Sequence, residues 1–167
     1  MTLEERVVQL EARVRHLTDR EEIRELLMEY GRCLDAKDFD RKVELFAPEG
    51  RLELPFGVLT TSDMVEMDTK FVGGYAALWH AYSNLSITVS GDEASAYCYF
   101  NSVHVHGADT DHGTIGGAYE ISLRRIDGAW RIVVIRDIFV WRSGDQAPGA
   151  ADGPEATRQA DPAYQGG

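Results

Sequence analysis

Cysteine is nearly absent: the 167-residue chain has two, Cys33 and Cys98, far apart and without metal-ligand spacing. That argues against a disulfide framework, and the pair reads as reduced, small apolar residues of a cytoplasmic protein. Positive charge is also short, with 17 Lys and Arg against 28 Asp and Glu and a net charge of −11. A nucleic-acid or anionic-membrane surface needs clustered cations, so neither partner is expected. No apolar run approaches the ~20 residues of a membrane span. The opening Met1-Thr-Leu-Glu-Glu-Arg6 lacks the apolar stretch of a secretory signal. Gly73-Gly74 and Gly116-Gly117 lack the companions of a phosphate-binding loop, and there is no Gly-x-Ser-x-Gly elbow. What remains is proton-transfer chemistry by His, Asp and Tyr.

The chain is 44% hydrophobic and 10% aromatic, enough for a real core in one domain. Leu3, Val7, Leu10, Val14 and Leu17 form one helical stripe, too short by itself for a coiled coil and suited to packing on the domain or a neighbouring subunit. Thr18 with Glu21, or Asp19 with Glu22, makes a capping box that predicts a new helix carrying Ile23, Leu26, Leu27, Tyr30 and Leu34. A short helix is predicted from Asp38, ended by Pro48-Glu49-Gly50, and another capped by Thr61 or Ser62 and stopped at Gly73-Gly74. Between them Arg51 to Leu54 reads as a brief strand and Pro55-Phe56-Gly57 as a turn. Long strands follow over 78–89, 94–106, 114–126 and 130–141, joined by turns at Ser90-Gly91-Asp92 and Asp127-Gly128, the latter suited to type I′. Hairpin-joined strands are antiparallel. The expected class is α+β, helices on one face of a curved antiparallel sheet, over residues 1–142. Residues 143–167, rich in Gly, Ala, Pro, Asp and Gln, read as a flexible tail.

Histidines titrate near neutral pH. His16 reads as surface. His80 stands early in a strand near Trp79 and Tyr82, and His104 and His106 share one strand face, with His112 in the loop beyond. A His-x-His pair plus a loop histidine suggests zinc or iron. No carboxylate or cysteine is spaced to complete the set, so structural or pocket histidines and no metal are expected. Asp35, between Leu34 and Ala36, is either a helix-end residue or an inward carboxylate that orients an imidazole. Tyr30 and Asp35 stand about 140° apart on an ideal helix, so they share one cavity only if the helix ends or loosens near Asp35.

Four segments carry a resemblance: Tyr30-Gly-Arg-Cys-Leu-Asp35-Ala-Lys-Asp38-Phe-Asp-Arg41, Phe46-Ala-Pro-Glu-Gly50, His80 at a strand start, and Arg125-Ile-Asp-Gly-Ala-Trp130-Arg-Ile132. Over residues 1–142 the chain resembles the SnoaL-like branch of the nuclear transport factor 2-like superfamily. The opening through Asp35 is similar to bile acid 7α-dehydratase. The 35–41 segment and the 126–130 hairpin are similar to scytalone dehydratase.

The resemblance implies a cone-shaped α+β barrel with an open apolar cavity. Asp35 matches the family carboxylate, His80 its base, Tyr30 the bile acid enzyme's tyrosine and His104 a second histidine. Leu34 and Leu54 stand where scytalone dehydratase has tyrosines, and Gly117 and Tyr119 where it has serine and asparagine contacts. Phe139 lies nearest the bile acid enzyme's late arginine, with Arg136 three residues away. The expected catalytic set is therefore His80, Asp35, Tyr30 and protonated His104. Leu34, Leu54, Phe100, Tyr119, Arg136 and Phe139 are expected toward substrate. The implied function is a cofactor-independent lyase, a dehydratase of a small apolar cyclic hydroxy-ketone. The alternatives are a cyclase or isomerase with the same dyad and a non-catalytic ligand-binding protein. A homo-oligomer is expected, trimer favoured and dimer possible, because the related dehydratases are trimers.

Overall fold

The computed structural model describes residues 1–107 and 112–144; the tail expectation falls, beyond Gly144, outside the described residues. Its first element corrects the sequence reading. One helix, α1 (Leu3–Ala36), replaces the two expected. Its cap is Thr2, which accepts from the Glu5 amide while the Glu5 carboxylate accepts from the Thr2 amide. The supposed cap at Asp19 is instead buried within the helix and paired with Arg125. The apolar stripe does change phase there, because α1 has two halves with different surroundings. Every residue from Met1 to Thr18 is exposed, whereas Ile23, Leu27, Tyr30 and Leu34 are buried against the sheet. Burial of that second stripe stabilises by roughly 1.5–3 kcal/mol per large side chain.

α1 closes on Lys37 in the left-handed conformation (φ 57°). The Lys37 ammonium donates to the carbonyls of Gly73 and Tyr75, which ties the helix end to residues 73–75. Asp38 caps the short α2 (Phe39–Glu44) as expected. Pro48-Glu49-Gly50 is not its stop: these residues lie within β1 (Phe46–Leu54), where the register shifts between Phe46 and Arg51. The turn at Pro55-Phe56 leads to a short β2 (Gly57–Thr60), and Thr60, one residue before the expected cap, starts α3 (Thr61–Phe71).

The predicted meander is present as β3 (Ala77–Ser90), β4 (Glu93–Val105), β5 (His112–Ile126) and β6 (Ala129–Ser143). His112 therefore starts a strand rather than sitting in the loop. Asp127 (φ 50°) and Gly128 (φ 82°) make the turn with both central residues left-handed, as type I′ requires. Sheet order is β2-β1-β6-β5-β4-β3. β1 pairs with β6 in parallel, a contact that no hairpin signal announces. The sheet is curved and does not close, so the architecture is α+β with an open rather than complete barrel.

Single-residue bulges decide which residues face α1. Opposite Ser122 and Leu123, β6 carries Val133 as an extra residue, so the buried positions change from Trp130 and Ile132 to Ile135. A second shift in β3, beside Asn84 (φ 53°), moves the inner set from Leu78, His80 and Tyr82 to Leu85, Ile87 and Val89. Gly116-Gly117 has a packing role: a Cβ on Gly116 would strike the Trp141 ring, and one on Gly117 would meet the Ile138 carbonyl.

Candidate active site

Asp35, on the last turn of α1, meets His80, the fourth residue of β3. His80 Nδ1 lies 2.7 Å from Asp35 Oδ1, and the His80 backbone amide donates to Asp35 Oδ2 at 3.3 Å. Both carboxylate oxygens thus engage one residue, which fixes the ring plane. With Nδ1–H donated to the carboxylate, Nε2 keeps its lone pair. The imidazole side chain is 7% exposed and the carboxylate 31%, so the pair sits at the margin of the interior. Burial pulls the His80 pKa below 6.5 against the raising effect of the Asp35 hydrogen bond and charge. A neutral imidazole at pH 7 follows.

His104 lies 6.1 Å from His80 between ring centroids, and the Tyr75 ring contacts both His104 (4.7 Å) and His106 (5.2 Å). Burial, with lesser contributions from His80 and His106, lowers the His104 pKa to about 4. That corrects the expectation of a protonated His104: at neutral pH it carries no extra proton to give.

Tyr30 is buried with its ring edge-on to Phe46 and Tyr119. The helix stays regular through Asp35, so Tyr30 and Asp35 are not brought together. The tyrosine on the His80 side is Tyr82, two residues along the same strand face. Its ring lies against Gly31 of α1 and stands 5.6 Å from the Tyr119 ring. The Tyr82 hydroxyl is buried without a hydrogen-bond partner of ordinary geometry among the described residues.

The profile of the SnoaL-like domain family matches residues 15–136. The chain belongs to that family. An NTF2-like protein with a cystatin-like fold from Novosphingobium aromaticivorans is 26% identical, with a TM-score of 0.69 over 80% of this chain and 89% of its own. A scytalone dehydratase-like protein from the same organism is 19% identical, with a TM-score of 0.69 over 80% of this chain and 91% of its own. A hexachlorocyclohexane dehydrochlorinase of type 2 is 14% identical, with a TM-score of 0.70 over 80% and 93%. At these identities the last two establish the fold.

Within this SnoaL-like domain the expected substrate-side residues divide. Leu34, Phe100 and Tyr119 are buried, with Phe100 stacked on Tyr119 at 4.3 Å and Phe139 edge-on to Phe100. Leu54 is half-buried at the end of β1. Arg136 is not brought inside: it lies on the other face of β6, more than half exposed and paired with Glu53 and Glu120. Two clefts open on the domain, of about 490 and 390 Å³, and neither is lined by Asp35 or His80. Beside the dyad stands the His104 ring, with the Tyr75 ring against it.

Three interior groups escaped the sequence reading. Lys42, fully buried on α2, pairs with Asp68 of α3, and its ammonium stands 5.6 Å from the Tyr30 ring centroid. Asp137 lies opposite Tyr119 in the β5–β6 pairing, and its Oδ1 is buried without a partner among the described residues. Burial raises the Asp137 pKa to about 8, with Lys42 pulling the other way. Strand alternation cannot tell Arg136 from Asp137 unless the bulge at Val133 is known.

The Asp137 displacement predicts a pH dependence of stability. Between the ordinary 3.8 and about 8 the folded protein holds a proton that the unfolded chain has released. Stability from that proton is full below pH 4 and lost as pH rises through 8. At about 1.4 kcal/mol per pKa unit, the stability difference between Asp137→Asn and the parent should move in the variant's favour by several kcal/mol, as an upper bound, from pH 4 to 9. Urea midpoints at the two pH values measure it. An offset equal at both would show that Asp137 titrates normally.

Proposed function

We propose that this protein is a carbon–oxygen lyase, a dehydratase that removes a proton alpha or vinylogous to the carbonyl of a small cyclic hydroxy-ketone and expels water. The supporting observation is the 2.7 Å contact between His80 Nδ1 and Asp35. Nε2 of neutral His80 takes the proton and the C–H electron pair forms the enolate; collapse of the enolate breaks the C–O bond while the His80 imidazolium returns that proton to the departing hydroxyl, which releases water and leaves the imidazole neutral. Asp35 holds the tautomer and stabilises the imidazolium, as a carboxylate does in a catalytic triad. Enolate charge requires a hydrogen-bond donor. The Tyr82 hydroxyl, on the same strand face as His80 and close to Tyr119, fits that role better than Tyr30, which is packed between Phe46 and Tyr119. Asp137, neutral at pH 7, adds a second proton-bearing group to the same interior.

The test is turnover of a panel of cyclic hydroxy-ketones, steroid- and polyketide-like, read by mass spectrometry. Loss of one water from the substrate supports the dehydratase. A product of unchanged mass indicates the cyclase or isomerase that the same dyad would serve. The aromatic lining of the interior also suits one further reading, a protein that binds an apolar ligand without turning it over, and saturable binding with no product would establish it.

A further inference from the structure

The first half of α1 carries an apolar stripe that none of the described residues covers. Leu3, Val7, Leu10, Val14 and Leu17 are each between 44% and 78% exposed. This stripe is not an extension of the face that grips the domain. Six residues of helix turn roughly 600°, so Ile23 stands about 120° round from Leu17. The stripe therefore opens to the side, and it ends where the domain begins. The next two positions in its spacing are Glu21 and Arg24, exposed and paired with each other at 3.3 Å.

We infer that residues 3–17 of two copies of this chain wind together as a parallel, in-register, two-stranded coiled coil. In heptad terms Val7 and Val14 occupy a, and Leu3, Leu10 and Leu17 occupy d. Branched valine at a with leucine at d is the combination that favours two strands over three. The flanking charges select direction. Glu4 and Glu11 fall at e, and Arg6, Arg13 and Arg20 at g. In a parallel pair each g residue faces the e residue five positions on in the other copy, so Arg6 meets Glu11 of the second copy, twice by symmetry. An antiparallel pair would set arginine against arginine and glutamate against glutamate. Among the described residues none of Glu4, Arg6, Glu11 and Arg13 has an ion-pair partner within its own chain, so these charges are available to a second copy.

About two heptads are too few to hold an isolated peptide pair, because helix nucleation is unfavourable. Here nucleation is already done: the stripe continues a 34-residue helix whose second half is locked into the domain. The seam also lies largely outside the residues that the family profile matches, 15–136.

Sedimentation equilibrium of the full chain tests this. The expected mass is twice 18.6 kDa. Leu10→Glu, which puts a charge in the middle of the seam, should halve it with near-ultraviolet circular dichroism unchanged. Val8→Glu removes an equally exposed apolar side chain at a b position and should leave the dimer whole. Arg6→Glu and Glu11→Arg should each weaken association, and the double variant should restore it. Oxidised Leu3→Cys should cross-link the two chains if they run parallel and in register. A monomeric parent, a three-chain mass, or an assembly indifferent to Leu10→Glu would overturn the inference.

Discussion

Turnover of the dehydration substrate should fall by about 10²–10⁴-fold in His80→Ala, the range that one general acid–base group supplies. KM should change far less, since the lost interaction belongs to the transition state. Asp35→Asn should also be strongly impaired, and it carries a second signature. The Asp35 carboxylate raises the His80 pKa against the lowering effect of burial. Without its charge the imidazole pKa falls further, so the acid limb of the kcat/KM profile, already below 6.5, should move to still lower pH. The residual rate of Asp35→Asn would then be reached at lower pH than in the parent. A limb that stays in place would detach Asp35 from the base, and undiminished turnover in folded His80→Ala would remove the base itself.

The largest stability effect is expected at the ion pair behind the site. Lys42 is completely buried and Asp68 nearly so. Taking two charges out of water is costly, and their mutual attraction roughly offsets that cost, so the pair adds little net stability. Breaking it is another matter. Asp68→Ala strands a buried ammonium and should destabilise by about 3–5 kcal/mol. Replacing both partners, as in Lys42→Met with Asp68→Leu, should recover most of that loss, because no charge is then left unpaired. Guanidinium midpoints of the parent, the single variant and the double variant measure the difference. Single and double variants equally destabilised would mean that the pair acts through its packing volume rather than its charge. The Lys42 ammonium also lowers the pKa of His80 and Asp137. Removal of that charge should therefore raise both, even in the well-folded double variant.

Two residues of the candidate site were legible in the linear chain. His80 and Asp35 were picked out by residue type and family likeness, 45 positions apart, and they meet. The four long strands were legible because alternation with period two repeats over a dozen residues, and the Asp127-Gly128 turn because it needs two left-handed residues in succession. The errors have identifiable causes. Thr18-Asp19 looked like a helix start because the apolar stripe changes phase there. Yet a helix needs no break to present one face to a domain and another elsewhere. Arg136 was expected inside and Asp137 was overlooked because one inserted residue, Val133, exchanges the two faces of β6. Lys42 was invisible as a core residue since a lysine is buried only when a partner 26 positions away in sequence, here Asp68, is delivered by the fold.

The linear chain alone therefore determined the class, the four long strands and the chemical types available, because these follow from local periodicity, turn geometry and composition. Tertiary structure decided which side chains share an interior: that Tyr82 rather than Tyr30 stands beside His80, that the Asp137 carboxyl turns inward, and that Arg136 stays in solvent. Those outcomes depend on bulges and on the angle at which α1 crosses the sheet, and both arise from packing between segments far apart in sequence.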